Sequence, residues 1–315
     1  MSAYNSAMYI GESISSVLNQ TFKDLELIVV NDCSTDNTPE IIKSYSDKDP
    51  RVHLINNETN LQPAISRNKA LQNAKGKYIA ILDSDDIALP NRLETQYNFL
   101  EKNPDIALVG SGAEIIDENG KTIKIKRVPA DFGEIKFRSI FRNLFIHSAV
   151  FYRKDPVLAL GGYNDSYLHS EDYKLYTDLM DKYKITNIPE VLVKYRKNPK
   201  AISIVSSTRK IQLEHAIDVS YEYANQYINL PKNIVGLMIN ALHKRKVTLD
   251  DILKTFKNYK TLTRAYIAKE NLNKEEGLKI WSIHKTDKEA LIGQYLRQKL
   301  PGAYILGKNL YKLIR

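Results

Sequence analysis

The sequence holds one cysteine and no long apolar run in 315 residues. The lone Cys33 excludes an internal disulfide framework and agrees with a reducing compartment. No stretch approaches the roughly 20 apolar residues that a membrane-spanning helix needs. The first residues also lack the basic start and the continuous apolar segment of a secretory signal. From these absences we expect a cytoplasmic protein.

The chain has fewer acidic than basic residues. It contains 37 Asp and Glu and 46 Lys and Arg, which gives a net charge of +9. The excess predicts an anionic partner, and nucleic acid, phospholipid headgroups and sugar nucleotides all fit that description. The chain has no zinc-finger, helix-turn-helix or basic-aromatic signature, so we expect no nucleic-acid partner. The composition, 43% hydrophobic and 26% charged, is that of an ordinary soluble globular protein.

Strand-like apolar runs and helix-like segments alternate through the first part of the chain. Examples are LELIVVN (25–31), TPEIIKSYS (38–46) and KYIAILD (77–83). The alternation predicts an α/β fold with a Rossmann-like, mostly parallel sheet flanked by helices. Strand signals vanish from about residue 207, so we predict one α/β domain over 1–206 and a helical C-terminal region over 207–315.

Three carboxylates, on Asp83, Asp85 and Asp86, follow one of these apolar runs. Two like charges about 4 Å apart repel by roughly 4 kcal/mol at an effective dielectric near 20, so the cluster needs a positive counterpart. Residues at i and i+2 of an extended chain face the same way, so Asp83 and Asp85 can converge on one ligand. Mg²⁺ and Mn²⁺ prefer such oxygen ligands together with substrate phosphates. The alternative is a polar turn that caps the helix after Pro90.

Other charged residues are candidates for ligand contacts. Asp32 ends the run LELIVVN, and ligands of α/β sheets bind at such carboxyl ends, although Asp32 could equally form an Asx-type turn. Arg67 lies early in a predicted helix, where the helix dipole disfavours a purely structural cation. Glu171 and Asp172 lie at a helix start behind Ser170, a good N-cap. Acids suit that end of a helix, but a carboxylate there would also serve as a general base.

Two further candidates are weaker. His147 precedes a predicted strand and either contacts a phosphate or acceptor or is structural. Arg196 either screens a leaving diphosphate or forms an ordinary surface pair.

Taken in order, these stretches resemble the inverting family 2 glycosyltransferases of the glycosyltransferase-A fold. Any one piece is modest evidence, whereas the ordered series with appropriate spacing is specific. The resemblance covers roughly residues 1–205. The matching pieces are SAYN (2–5), SVLNQTFKDLELIVVNDCSTDNT (16–38), SRNKAL (66–71), AILDSDD (80–86), FIHSAVFYR (145–153), GGYNDSY (161–167), SEDYKLY (170–176) and YR (195–196).

The resemblance implies a role for each matching residue. Asp32 would bind the uracil ring with Arg67 beside it, and Asp83 would contact the ribose. Asp85 would hold the Mn²⁺ or Mg²⁺ that bridges the diphosphate. Asp172 would be the base that deprotonates the acceptor hydroxyl. One base and a single in-line displacement imply inversion at the anomeric carbon.

The match also includes SAYN, in which Ala3 and Tyr4 are candidates for donor binding. Asn31 and Cys33 replace the more usual Asp and Gly of the first acidic motif, and Gln62 lies where the family often has glycine. The Gln-x-x-Arg-Trp motif of processive relatives is absent. The resemblance therefore implies addition of one or a few sugars.

Relatives usually have an apolar strand directly before the SAYN equivalent, whereas this sequence starts at Met1. That strand lies centrally in the family's sheet, and unpaired buried backbone groups are costly. We therefore expect the first strand to be missing from this sequence.

The last stretch, residues 291–315, carries five basic residues and no acidic one among leucine, isoleucine and tyrosine. Such a segment can lie on an anionic membrane surface, which would suit a lipid-linked acceptor at the inner face of the cell membrane. The alternative is a helix that packs back on the catalytic domain.

The resemblance implies transfer of a sugar from a nucleotide diphosphate donor, with uridine first and thymidine second, to a glycan or lipid-linked acceptor in surface polysaccharide synthesis. Two alternatives stay open. A metal-dependent phosphohydrolase also uses Asp-x-Asp after a strand, but it would want Thr or Gly soon after its nucleophile, where this chain has Asp86 and Ile87. The second alternative is a non-catalytic nucleotide-binding module.

Overall fold

The computed structural model shows an α/β protein with a helical C-terminal part. The residues that it describes are 1–197, 206–243 and 248–299. The chain forms two compact units, of which the first comprises 1–135 and 143–215 and the second comprises 136–142 and 216–315. The predicted functional division after residue 206 stays a prediction.

The elements follow in chain order. The strands are β1 (Ser2–Ala3), β2 (Leu27–Asn31), β3 (Val52–Asn56), β4 (Tyr78–Ala80), β5 (Ile87–Ala88), β6 (Ile106–Ile116), β7 (Thr122–Lys126), β8 (Phe151–Arg153) and β9 (Lys184–Arg196). The helices are α1 (Ile10–Leu18), α2 (Thr38–Ser46), α3 (Gln62–Asn73), α4 (Arg92–Lys102), α5 (Phe132–Arg138), α6 (Lys154–Leu158), α7 (Glu171–Lys182), α8 (Ser206–Asn225), α9 (Lys232–Leu242), α10 (Leu249–Lys269) and α11 (Lys274–Lys299).

The first three strands form a parallel sheet in the order β1–β2–β3. All five residues of β2 are buried, as its apolar composition predicts. Helices α1 and α2 pack on this sheet, where Ile10, Ile14 and Ile42 join Val29 and Val52 in one core. Burying each such side chain contributes roughly 1.5–3 kcal/mol, which fixes the loops at the carboxyl ends of the strands.

A second sheet has the order β4–β8–β6–β9–β5, with β7 paired to β6. Strands β6 and β9 are parallel, whereas the pairings of β4, β5, β7 and β8 are antiparallel. The sheet is therefore more mixed than the alternation alone suggests, because hairpin and return connections replace crossovers after β6. Strand β9 contains Pro189 and continues through it, since the pairing with β6 shifts register there.

A cavity of about 700 Å³ lies between the two sheets, lined by Met1, Leu27 and Ile28 on one side and by Ile79 and Phe151 on the other. The Met1 ammonium is enclosed there and donates a 2.9 Å hydrogen bond to the Ile28 carbonyl. Burial, with the positive charge of Arg67, lowers the pKa of this ammonium to about 6. Burial of a charged amino group is costly, which is the reason for the lowered pKa.

The second unit is helical and packs around aromatic rings. Tyr259 of α10 lies parallel to the Phe137 ring at 5.8 Å, and its hydroxyl donates a 2.8 Å hydrogen bond to Asp287 of α11. Arg138 forms a 2.8 Å ion pair with the same carboxylate. Helix α10 begins at a capping box of Thr248 and Asp251. Among the described residues, no helix combines the length and hydrophobicity needed to cross a bilayer.

Candidate active site

The acidic cluster forms a turn at the carboxyl end of β4. The backbone N–H of Asp83 donates to Ser148 Oγ at 3.1 Å, and that of Asp86 donates to the Asp83 carbonyl. Ser13 Oγ of α1 contacts the carbonyls of Ser84 and Asp86 at 2.9 and 2.7 Å. These bonds fix the backbone of the turn from both sides. We call residues 83–86 the acidic turn.

Arg67 supplies the positive counterpart that the acidic turn requires. Its Nη2 lies 3.1 Å from Asp83 Oδ1, and its Nη1 lies 2.5 Å from Glu171 Oε1. Although burial alone would raise it, the Arg67 guanidinium lowers the pKa of Asp83 below its ordinary value. One arginine of α3 thus joins the acidic turn to the start of α7. In this structure Arg67 contacts Asp83 and Glu171, and its place beside Asp32 at the uracil ring stays a prediction.

Asp85 is the carboxylate best suited to a cation. It is half-buried, and no side chain among the described residues donates a hydrogen bond to its oxygens. Burial and the charge of Asp83 raise the pKa of Asp85 to about 6. The described residues contain no group of three or more metal-ligating side chains. A Mg²⁺ or Mn²⁺ ion fits such a place, because these ions use few carboxylates and complete their shell with water and phosphate.

Asp86 differs from the other two acids although it is adjacent to Asp85. Its side chain is buried, Oδ1 accepts a 2.7 Å hydrogen bond from the backbone N–H of Arg196, and Oδ2 has no partner among the described residues. Burial, then the charges of Asp85 and Asp83, raise the pKa of Asp86 well above its ordinary value. The surroundings of Asp86 therefore favour its protonated form, which lessens the charge repulsion within the acidic turn.

Arg196, a weaker candidate for screening a diphosphate, lies behind the acidic turn. Its Nε donates to the Asp85 carbonyl at 2.9 Å, and Nη1 donates to the Glu118 carbonyl at 3.1 Å. Nη2 pairs with Glu12 at 2.6 Å, and the guanidinium stacks on Tyr9 at 4.5 Å. With a side chain only 2% exposed, Arg196 holds the backbone of Asp85.

The two acids at the start of α7 have different surroundings. Glu171 is buried and paired with Arg67. Asp172 is half-buried, and its Oδ2 accepts a 2.8 Å hydrogen bond from Asn143 Nδ2. Burial and the charge of Glu171 raise the pKa of Asp172 to about 7. The Ser170 hydroxyl does not cap this helix as expected, because it donates to the Gln212 carbonyl at 3.1 Å.

His147 lies close to these groups. Its Nδ1 is 2.8 Å from the Tyr176 hydroxyl, and its Nε2 is buried without a partner among the described residues. Burial, then the charge of Arg67, lower the pKa of His147 to about 3. The ring is therefore neutral, and a neutral imidazole can donate or accept one hydrogen bond toward a ligand.

The nucleotide-binding candidates lie at the carboxyl ends of β1 and β2. Asp32 is buried, and its Oδ1 accepts 2.8 Å hydrogen bonds from Asn57 Nδ2 and the Leu61 N–H. Buried Ala3 accepts a hydrogen bond from the Asp32 N–H through its carbonyl, while Tyr4 is 45% exposed. The structure thus brings these three candidates together at one sheet edge.

The two places where the family has glycine adopt the left-handed backbone conformation. Cys33 has φ of 60° and Gln62 has φ of 72°. Non-glycine residues adopt this region at a cost of about 1 kcal/mol, which explains the usual glycine. Both residues lie close to Asp32, because Cys33 follows it directly and Gln62 follows Leu61, whose N–H donates to the Asp32 carboxylate.

Asn143 was not predicted from the sequence. It lies 29 residues before Asp172, and its Oδ1 accepts a 2.9 Å hydrogen bond from the Phe145 N–H, which orients its amide toward the carboxylate. The only signal in the sequence is its place two residues before FIHSAVFYR.

Comparison with known proteins identifies the family. Residues 1–157 match the model of "Glycosyl transferase family 2". An uncharacterized glycosyltransferase of Methanocaldococcus jannaschii is 43% identical over 200 residues, which are 62% of this chain and 69% of that protein. The chain belongs to glycosyltransferase family 2. The Escherichia coli UDP-Glc:alpha-D-GlcNAc-diphosphoundecaprenol beta-1,3-glucosyltransferase WfgD is similar to this family 2 glycosyltransferase, with 35% identity over 76% of this chain and 93% of that protein.

Solved structures confirm the glycosyltransferase-A fold. S. aureus TarS 1–349 in complex with UDP-GlcNAc superposes with a TM-score of 0.58 at 18% identity, covering 94% of this chain and 90% of that chain. The mannosyltransferase PcManGT from Pyrobaculum calidifontis, in complex with GDP-Man and Mn²⁺, gives 0.57 at 18% identity, covering 96% and 86%. The predicted fold class and family of this glycosyltransferase are therefore confirmed.

Proposed function

We propose that this glycosyltransferase moves a sugar from a nucleotide diphosphate donor, first of all a UDP-sugar, to a hydroxyl of a glycan or lipid-linked acceptor with inversion. The process would be surface polysaccharide synthesis. Relatives named for O-antigen and amylovoran biosynthesis support the process. WfgD, named for a UDP-Glc donor and a diphosphoundecaprenol acceptor, supports both substrate classes.

The observation that carries the proposal is the Arg67 junction between the acidic turn and α7. Its pairs with Asp83 and Glu171 support one site that contains both Asp85, a carboxylate without a hydrogen-bonding side chain, and Asp172, an acid with a pKa of about 7. Buried polar atoms of Glu171, His147 and Tyr163 have no partner among the described residues. Such atoms near one cationic centre favour a polar ligand.

The candidate residues of the site have different roles in donor binding. Asp32 offers the oxygen not used by Asn57 and Leu61 to an N–H of the base, with Ala3 and Tyr4 beside it. Asp83 contacts the ribose, and Asp85 holds Mn²⁺ or Mg²⁺. The bound cation would compensate the negative charge on the departing diphosphate. PcManGT, solved with Mn²⁺, supports a divalent metal.

Asp172 is the proposed general base. A base with a pKa near the working pH is deprotonated in a substantial fraction of the molecules and is basic enough to take a proton from the acceptor hydroxyl as that oxygen attacks. Glu171 is less suited, because its carboxylate is held by Arg67. With a single base on the face opposite the leaving group, one in-line displacement inverts the anomeric carbon.

A thermal-shift panel of nucleotide sugars with and without Mn²⁺ tests donor binding, and UDP release tests turnover. We expect one UDP-sugar to raise the melting temperature more with Mn²⁺ than without it. We expect Asp172→Asn to bind that donor and to lose UDP release by a factor of at least about 10². Normal turnover by Asp172→Asn would overturn the role of the base. Binding of UDP without turnover of any donor by the wild type would favour a nucleotide-binding module.

Phosphatase assays on a generic ester separate the phosphohydrolase alternative. We expect no hydrolysis, because Asp86 and Ile87 follow Asp85 where a phosphohydrolase would want Thr or Gly soon after its nucleophile. Metal-dependent ester hydrolysis that is lost in Asp85→Asn would contradict the transferase proposal.

A further inference from the structure

The positive charge of the chain is concentrated in the second compact unit. By sequence, 1–135 with 143–215 contain 25 Lys and Arg against 28 Asp and Glu, a net charge of −3. The second unit, 136–142 with 216–315, contains 21 against 9, a net charge of +12. Charge asymmetry of this size marks one part of a protein as the contact for an anionic partner.

Helices α10 and α11 display part of this charge on one exposed surface. Lys257 and Lys260 follow Leu253 along α10 at helical spacing, and Ile292 follows Lys285 and Lys288 along α11. All six side chains are exposed. We call this set the α10–α11 face; its members are Leu253, Lys257, Lys260, Lys285, Lys288 and Ile292.

Contacts between the two helices put the α10 and α11 residues on the same side. The Lys288 ammonium lies 5.1 Å from the centre of the Phe256 ring of α10. Tyr259 of α10 packs against His284 of α11 at 4.5 Å between ring centres. Burial lowers the pKa of His284, and the charges of Lys288 and Lys260 add to this, so both lysines lie near the same imidazole.

The four lysines of the face have no acidic partner in the described part of the chain. Two other lysines of these helices do form ion pairs within their own helix. Lys254 contacts Asp250 at 2.5 Å, and Lys279 contacts Glu275 at 3.4 Å. The α10–α11 face therefore carries positive charge that no ion pair in the described part of the chain offsets. An anionic partner would gain the full attraction of these lysines.

Exposed apolar side chains accompany the lysines. Leu253 is 58% exposed and Ile292 is 40% exposed, and Leu249, one turn before Leu253, is 52% exposed. Single exposed apolar residues are common, but here they share a surface with unpaired lysines. Helices that lie in the headgroup region of a bilayer combine these two features.

We propose that the α10–α11 face binds the surface of an anionic bilayer. The lysines lie among the headgroups, while Leu253 and Ile292 reach the boundary of the acyl chains. A polyanionic glycan would use the lysines but would leave the apolar side chains without a partner, so the composition of the face favours the membrane. Anionic lipids of the cytoplasmic leaflet provide the required negative potential. This contact is distinct from residues 300–315, which lie outside the described residues.

Vesicle binding by the full chain tests the proposal, with phosphatidylcholine vesicles compared with vesicles that also contain phosphatidylglycerol. We expect the wild type to float with the anionic vesicles alone. Lys260→Glu with Lys288→Glu should weaken the binding constant by a factor of roughly 10 or more. Leu253→Ser with Ile292→Ser should also weaken it, by a factor of a few. The matched control is Lys48→Glu with Lys102→Glu, which changes the charge equally on exposed positions of the first unit and should bind like the wild type.

Three outcomes would overturn the proposal. Equal binding by the α10–α11 lysine variant and its control would mean that net charge alone drives adsorption. Loss in the lysine variant, with unchanged binding of the apolar variant and competition by soluble polyphosphate, would assign the face to a polyanion. A chain that ends after Lys299 should still float, because it keeps the face; loss of its binding would assign the contact to residues 300–315.

Discussion

Asn143 Nδ2 lies 2.8 Å from Asp172 Oδ2, and this hydrogen bond is the one side-chain contact to that carboxylate among the described residues. The amide cannot rotate freely, because its oxygen accepts from the Phe145 N–H at 2.9 Å. A donor fixed in this way favours the charged form of the acid and orients it. Burial and Glu171 raise the pKa of Asp172 to about 7, while the Arg67 charge and the Tyr173 N–H oppose them. We expect the Asn143 hydrogen bond to oppose them as well.

Replacing Asn143 with alanine should move the pH dependence of turnover. Loss of a hydrogen bond to a charged group raises the pKa of Asp172 by about one unit, so the acid limb of kcat/KM shifts to higher pH. Activity should fall strongly below neutral pH and recover in part above it. The control is Asn103→Ala, which removes an amide bonded to the Phe99 carbonyl away from the site. An acid limb that stays in place would contradict the role of Asn143.

Asp172→Asn should be more stable than the wild type at alkaline pH, although we expect it to lose turnover. The folded pKa of Asp172, about 7, lies above the ordinary value of 3.8, so its stabilising protonated form is complete below about 3.8 and is lost as pH rises through about 7. Asparagine resembles the neutral acid at every pH. Urea unfolding should show a gain on the order of 1 kcal/mol at about pH 8 and little difference near pH 4. The same difference at both values would contradict the raised pKa.

Arg67 should be critical for folding as well as for donor binding. Arg67→Ala leaves Glu171 and Asp83 without their cation, and breaking a buried ion pair costs about 3–5 kcal/mol. Arg67→Lys keeps the charge but cannot reach both acids with a planar fork, so it should recover only part of the loss. Denaturant unfolding measures both variants. Lys43→Ala, which breaks the exposed pair with Asp47, is the control and should change little.

The acidic turn and the Arg67 junction differ in how far the sequence could predict them. The apolar run before Asp83 and the spacing to Asp85 are local patterns, and the structure retains both. The partner of Arg67 is not local, because Glu171 is 104 residues away and only the packing of α3 near α7 brings them together. No sequence motif shows that the Arg196 guanidinium donates its hydrogen bonds to backbone carbonyls and to the Glu12 carboxylate. The antiparallel pairings after β6 were missed for the same reason, since they depend on which strand returns beside which.

Asp85 and Asp86 offer a matched pair, because they are adjacent and chemically identical but have opposite surroundings. Asp85→Asn should weaken Mn²⁺-dependent binding of UDP by at least about tenfold, since it removes a charged ligand from the proposed cation site. Asp86→Asn should bind nearly as the wild type, because the Asp86 side chain is buried and asparagine keeps the oxygen that accepts from the Arg196 N–H. Titration of Mn²⁺ in the presence of UDP measures both. Equal losses in the two variants would contradict the assignment of charge within the turn.

The cavity beside Met1 is bordered by Leu27 and Ile28 of β2 on one side and by β4 on the other. We propose that a short apolar extension upstream of Met1 would continue β1 there, remove the buried ammonium and fill the space. Burial of several apolar side chains contributes roughly 1.5–3 kcal/mol each, less the entropy of ordering the segment, so the melting temperature should rise by roughly 5 °C or more. A glycine-serine extension of equal length is the control for moving the ammonium alone. If the two extensions give the same melting temperature, the cavity does not accept a strand and the expectation of a missing first strand fails.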